Sequence, residues 1–207
     1  MKLVTPPAFY RIVAGRIAAA DLVTLGALTA MAGGLMWVFA GTSNLLLASG
    51  LLSGGSGLQT AAEAISILAL VGVIGGVASL HARQYYCYGL CGWLGFLAAL
   101  SGGAVLLAGL PLSYIAGVQA PAMLEAILVG GFWGLVGGLL LLGIATLRLG
   151  FLPQWSGVLL LLCAPLAVAA GNLGGGIVFG ASWIALGYTL LCRHDVSAII
   201  RARGERA

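Results

Sequence analysis

The chain consists mainly of long apolar runs separated by short polar or Gly/Pro-containing segments. A bilayer hydrocarbon core is about 30 Å thick and is crossed by about 20 apolar residues in an α-helix. Hydrophobic residues make up 61% of the 207 residues and charged residues 7%, far from the composition of a soluble domain. The sequence therefore predicts an all-α polytopic transmembrane helix bundle and leaves little chain for a soluble domain.

The apolar runs and the residues that bound them predict six transmembrane helices. The fifth run contains Pro165, which removes a backbone donor, so we expect a kink there or an extension toward Asn172. The predicted spans are residues 16–40, 61–80, 87–110, 122–147, 156–170 and 177–192.

Basic residues occur only before the first helix, in the second and fourth connections and after the last helix. Because Lys and Arg accumulate on the cytoplasmic side, this predicts that both termini are cytoplasmic. Residues 1–15 are interpreted as an interfacial segment, 16–192 as the membrane domain and 193–207 as a basic tail. The net charge of +4 then indicates attraction to anionic membrane lipids rather than nucleic-acid binding.

An internal repeat of 62 residues is also predicted. Aligning residues 63–109 with residues 125–171 gives 14 identities in 47 pairs, against about five expected for this composition. Glu63 and Trp93 fall on Glu125 and Trp155. Both copies would begin with a helix running in the same direction, so the repeat is a parallel one of helix hairpins.

Glycine accounts for 34 residues, and many recur at four-residue spacing, which places flat patches on single helix faces. One interpretation is tight packing inside the bundle. The other is that a stripe docks a second subunit, and the candidate stripe is Gly130, Gly134 and Gly138.

Glu63 and Glu125 lie at the predicted outer ends of the second and fourth helices. They could attract cations or polar head groups at an outer mouth, or they could simply favour the positive ends of helix dipoles. No Asp, Glu, Lys, Arg or His lies near a predicted helix midpoint, which disfavours a proton-driven carrier.

Two connections were considered as interaction sites. Asn172 lies in a Gly-rich turn, which is interpreted as a flexible hairpin or, alternatively, as an ion-coordinating loop. Residues 41–60 form the longest predicted connection, and its Leu residues could re-enter the membrane or dock a partner.

The sequence predicts no enzyme, cofactor or metal site. Cys87, Cys91 and Cys192 could approach His81 and His194, but their spacing is not that of a zinc module. Residues 180–182 resemble the Gly-x-Ser nucleophile turn of rhomboid-like proteases, yet the downstream histidine lies about 18 Å along the same helix.

Residues 147–161, LRLGFLPQWSGVLLL, resemble a stretch that recurs in small uncharacterised bacterial multipass proteins. In that stretch an Arg, a Leu-Pro and a Trp bridge two helices on the inner side. The resemblance implies a bacterial inner-membrane protein of about six helices and carries over no functional residue.

The leading functional hypothesis is a non-catalytic accessory or scaffolding subunit that packs through Gly-rich faces against itself or other membrane subunits. The alternative is a facilitator or channel for a small or lipidic solute, with Glu63 and Glu125 at its outer mouth.

Overall fold

The computed structural model describes residues 8–51, 56–84, 89–116, 121–150 and 152–204. Within these ranges the chain forms six α-helices, one 3₁₀ turn at Gly171–Leu173 and no strand, so the predicted all-α class is confirmed. The helices are α1 Ala8–Ala48, α2 Ser56–Gln84, α3 Gly89–Ala116, α4 Ala122–Leu149, α5 Gln154–Ala170 and α6 Gly175–Gly204.

Five helices contain a segment that is long and apolar enough to cross a membrane: Asp21–Ala48, Gly57–Gln84, Gly89–Ile115, Ala122–Leu149 and Gly175–Cys192. The remaining helix, α5, is apolar but has only 17 residues, or about 25 Å at 1.5 Å per residue. Over the described residues the fold is therefore a bundle of five helices long and apolar enough to span a membrane and one shorter apolar helix, α5.

Helix α1 is longer at both ends than the sequence predicts. It begins at Ala8 instead of residue 16 and ends at Ala48 instead of residue 40. Past residue 40 the hydroxyls of Thr42 and Ser43 donate to the carbonyls of Val38 and Phe39, at 2.8 and 3.0 Å. Because these polar groups are satisfied within the helix, they do not end it, and the first connection is much shorter than predicted.

Helices α2, α3 and α6 also pass their predicted ends, and α2 begins at Ser56 instead of residue 61 and ends at Gln84 instead of residue 80. Helix α3 continues through Pro111 to Ala116, and α6 continues past Cys192 to Gly204. The chain from 193 to 203 contains neither Gly nor Pro, so nothing local stops the helix before Gly204. Over their described residues, 8–15 and 193–204 thus continue α1 and α6 as helix.

The six helices form a closed ring. Each helix packs on its chain neighbours, and α6 returns to pack on α1. Neighbouring helices run antiparallel, as α1 and α2 illustrate. A Cβ added at Gly33 would lie 2.8 Å from the Gly72 Cα, whereas one added earlier in α1, at Gly26, would lie 2.5 Å from the oxygen of Gly75, which comes later in α2. We call the end where α1, α3 and α5 finish the loop end, and the opposite end, where α1 begins and α6 finishes, the terminal end.

Glycine brings the helix backbones together inside this chain. In α1, a Cβ at Gly34 would lie 2.6 Å from the Gly180 oxygen of α6, and α4 meets α3 in the same way at Gly102 and Gly131. Such close backbone contact stabilises helix pairs in lipid, where burying apolar side chains gains little. The interpretation of glycine as an internal packing device therefore describes most of the stripes.

Large side chains fill the terminal half of the ring. All of the largest fully buried hydrophobic side chains except Val73 and Leu139 lie toward that end. The fully buried large hydrophobic residues are Trp183, Leu80, Leu139, Leu142, Leu160, Leu186, Leu190, Val73 and Val77.

Candidate ligand cavity

A cavity of about 570 Å³ occupies the loop-end half of the ring. All six helices contribute to its wall. Each helix lines the cavity over about two turns or less, which is roughly 10 Å along the helix axis. The lining residues include Trp37, Gly41, Asn44, Glu63, Ser66, Ile67, Leu70, Leu106, Leu110, Ser113, Tyr114, Phe132, Leu135, Val136, Leu139, Ala167, Gly176 and Phe179. A volume of this size lies within the range of small-molecule binding sites.

The wall of the cavity is mainly apolar, with Leu, Ile and Phe side chains from α2, α3, α4 and α6. An aromatic cluster forms its α1–α6 side. The Trp37 and Phe179 rings meet edge to face at 5.4 Å, and Phe179 meets Trp183 at 6.1 Å. Since Trp183 itself is fully buried, this cluster joins the cavity wall to the packed core below.

Polar groups lie near the mouth. Glu63, half-buried in the second turn of α2, accepts a hydrogen bond from the Gln59 side-chain amide at 3.2 Å. Ser66 and Ser113 donate to carbonyls of their own helices, at 2.9 and 2.8 Å. Asn44 forms no side-chain hydrogen bond with another described residue, so its amide and the Glu63 carboxylate both have capacity for a ligand.

The terminal end closes the cavity from below. Gln84 and Thr146, both nearly fully buried, hydrogen-bond to each other at 3.2 to 3.3 Å, joining α2 to α4. Arg83 donates to the Leu190 carbonyl of α6 at 2.9 Å. These contacts and the large apolar side chains around them fill the terminal end, so that within the described part of the chain the cavity does not extend through that end.

An aromatic stack joins α2 to α3 at the same end. His81 lies parallel to Phe96, with ring centroids 3.8 Å apart, and edge-on to Trp93 at 5.7 Å. These ring contacts hold the His81 side chain against α3.

The structure separates the two glutamates that the repeat pairs. Glu63 lines the cavity, whereas Glu125 is exposed on α4 and is not among the lining residues. Glu125 therefore does not contribute to the wall of this cavity. The Asn172 backbone lies in the 3₁₀ turn between α5 and α6, and its side chain lies outside the described residues.

The three glycines of the predicted stripe, Gly130, Gly134 and Gly138, do not share one environment. Gly138 faces Ala99 and Gly95 of α3, and Gly134 lies 3.6 Å from the Gly102 Cα, measured from an added Cβ. Gly130 has open space around it. Two of the three glycines thus pack inside the chain.

Two other candidate sites from the sequence are a Cys/His metal site and a Gly-x-Ser nucleophile turn, and the geometry gives little support to either. Cys91 is half-buried, Cys163 buried and Cys192 exposed, and the described residues contain no group of three metal-ligating side chains. Cys87 and the His194 side chain lie outside the described residues. The Ser182 hydroxyl donates to the Val178 carbonyl at 2.8 Å, within its own helix.

Sequence reasoning missed the cavity itself and with it Trp37 and Asn44. Both lie on α1, and Asn44 was placed in a loop because the helix was predicted to end at residue 40. Continuing the helix would have put Trp37, Gly41 and Asn44 on one face, at spacings of three and four residues.

The chain matches no family model, no curated protein sequence and no solved structure.

Proposed function

We propose that this protein is a non-catalytic membrane protein that binds a small apolar or amphipathic solute in its loop-end cavity and acts as a facilitator for it. The observation that carries the proposal is the cavity of about 570 Å³, with an apolar wall and a few polar groups near its mouth. This combination is typical of small-molecule sites, in which apolar side chains supply the contact area and few polar groups orient the ligand.

The closed terminal end favours a carrier-like facilitator over an open channel. Release of solute on that side would require the packed side chains around Trp183 and Leu142 to separate. Glycine contacts hold α1 against α2 and α6 and hold α3 against α4, and α5 is held against α4 at Gly143 and against α6 at Gly175. The α2–α3 seam has side-chain contacts such as Gly103 on Ile74 and is the natural place for movement.

A cavity-filling variant tests this proposal. Ile67 lines the cavity one helical turn below Glu63, so Ile67→Trp should occupy part of the binding volume. The matched control is Ile127→Trp, at an exposed α4 position outside the lining. Binding of a neutral apolar probe, triphenylphosphine oxide, to the full chain in lipid nanodiscs should weaken about tenfold in the first variant and stay unchanged in the second. Equal affinities in both would contradict the proposal.

A second candidate function is the accessory or scaffolding subunit. It is favoured by the open space around Gly130 and Gly137 on α4, where a second helix could approach closely. Native mass spectrometry of protein gently extracted from its own membrane distinguishes the two. Foreign subunits at fixed stoichiometry favour the accessory role, while a retained small solute favours the facilitator.

We also propose that the terminal end faces the cytoplasm and that the membrane is a bacterial inner membrane. Support for the orientation comes from the positions of Arg83 and Arg148 at the terminal ends of α2 and α4. The bacterial assignment rests on the resemblance of residues 147–161. Cysteine-accessibility labelling of residues added at each end tests the orientation.

The parallel repeat is kept as a proposal with structural support. Gln84 and Thr146, which hydrogen-bond to each other, are 62 positions apart, as are Gly72 and Gly134, each of which faces a glycine on the preceding helix. Contact between equivalent positions is expected where they lie near a symmetry axis along the membrane normal.

A further inference from the structure

The cavity wall carries a single formal charge. Among the lining residues Glu63 is the only Asp, Glu, Lys, Arg or His, and the polar groups that accompany it are neutral. An uncompensated carboxylate in the wall of an apolar cavity gives the site a negative potential, because the surrounding side chains screen it less than water would.

No cation in the described part of the chain neutralises this carboxylate. Its hydrogen-bond partner is the neutral Gln59 amide, and no described Lys, Arg or His forms an ion pair with it. Arg83 and Arg148 lie at the opposite end of the bundle. A carboxylate can accept about four hydrogen bonds, so Glu63 retains most of its capacity.

Aromatic side chains line the same cavity as the carboxylate. Trp37, Tyr114, Phe132 and Phe179 all line the same cavity. Aromatic rings attract cations through the negative potential of their faces, and the attraction grows as water is excluded. The cavity therefore combines a carboxylate, aromatic side chains and apolar contact area.

Resting on the proposed solute-binding function, we infer that the solute is an amphiphilic organic cation, an ammonium or phosphonium centre on an apolar body. Its charged centre lies against Glu63, and its apolar body lies deeper against residues such as Leu106 and Leu135. An anion of the same shape is rejected, because it would meet the carboxylate with no compensating positive group.

Three probes of similar shape test the inference with the full chain in lipid nanodiscs. They are tetraphenylphosphonium, neutral triphenylphosphine oxide and anionic tetraphenylborate, each measured by equilibrium dialysis with protein-free nanodiscs subtracted. We expect the cation to bind at least tenfold more tightly than the neutral probe, because the carboxylate attracts its charge in a site that screens it less than water does, and the anion not to bind.

Two matched variants locate the charge preference. Glu63→Gln keeps the shape of the side chain and should bring cation affinity down about tenfold, close to that of the neutral probe. Glu125→Gln makes the same change at an exposed position outside the cavity and should leave all three affinities unchanged.

The outcomes separate this inference from the function on which it rests. If the neutral probe binds and Ile67→Trp weakens it, but the cation shows no preference or keeps its preference in Glu63→Gln, the cation inference is wrong while the solute-binding function stands. If neither probe binds the wild-type protein above the protein-free background, the solute-binding function fails and takes the cation inference with it.

Discussion

The two ends of the helix ring share one backbone scaffold but differ in what fills them. At the terminal end, Trp183, Leu142, Leu160 and Leu190 are buried and leave the interior closed. At the loop end, small residues such as Gly41 and Gly176, with short polar side chains, replace them, and a cavity of about 570 Å³ remains. Side-chain size, rather than helix spacing alone, thus divides the bundle into a structural half and a half with a cavity, which we propose binds the solute and call the binding half.

The comparison has a physical basis in how membrane helices associate. Lipid tails are as apolar as Leu, so the terminal half is stabilised by van der Waals contact instead of by removal of surface from water. The side chains that line a cavity lack part of those van der Waals contacts. The tightly packed terminal half and the glycine contacts along α1 stabilise the ring around the open loop-end half.

The largest expected effect comes from opening the packed half. Trp183→Ala removes a fully buried side chain that lies against Gly76 and Phe179. We expect the free energy of unfolding in mixed micelles to fall by about 2–4 kcal/mol, because the remaining side chains only partly fill the space. Trp133→Ala is the control, since Trp133 is 59% exposed, and similar losses in both variants would refute the division.

The next largest expected effect is the difference in the free energy of unfolding between substitutions at two adjacent glycines of α4. A Cβ at Gly138 would overlap the Ala99 backbone of α3, whereas a Cβ at Gly137 meets nothing within 4 Å. Gly138→Ala should lower the free energy of unfolding by about 1–3 kcal/mol through overpacking. Gly137→Ala should leave it unchanged or slightly higher, and the same denaturation assay compares them. If Gly137→Ala were the more damaging variant, α4 would face α3 differently.

A smaller effect is expected from the buried polar pair. Gln84→Leu leaves the Thr146 hydroxyl without its partner from α2, which should destabilise the protein by about 1 kcal/mol. Combining it with Thr146→Val in a double-mutant cycle should give a coupling of about 0.5–1 kcal/mol. Ser156→Ala serves as the control, since its buried hydroxyl has no partner among the described residues. If the changes in the free energy of unfolding of the two single variants simply added in the double variant, the hydrogen bond would contribute no stability.

The smallest effect on stability is expected in the binding half. Glu63 is half-buried and bonded only to the exposed Gln59 amide, so Glu63→Gln should change the free energy of unfolding by less than about 0.5 kcal/mol. A large loss of stability would place Glu63 in the structural half and would remove the basis for a ligand role. Thermal denaturation without ligand is the measurement.

Several features of the fold follow from the sequence because they depend on local composition. The helices around residues 122–147 and 156–170 were predicted within two residues of their observed bounds, since Gly150, Pro153 and Gly171 mark their ends. The ends of α1, α2, α3 and α6 were wrong because polar or Pro-containing segments beyond the predicted ends remain helical, as where the Thr42 and Ser43 hydroxyls hydrogen-bond within α1. Polar residues such as Asn44 were therefore assigned to a connection.

Sequence alone determined the helical class, the membrane-like composition and the number of helices, because each depends on the length and apolarity of single runs. Only the tertiary structure decided that Glu63 lines a cavity while Glu125 does not, and that Gly138 packs inside the chain while Gly130 stays open. The reason is that helices apolar on all sides carry no signal of which face turns inward. The rotation of each helix about its own axis decides which face turns inward, and it is set by which glycines contact the neighbouring helix.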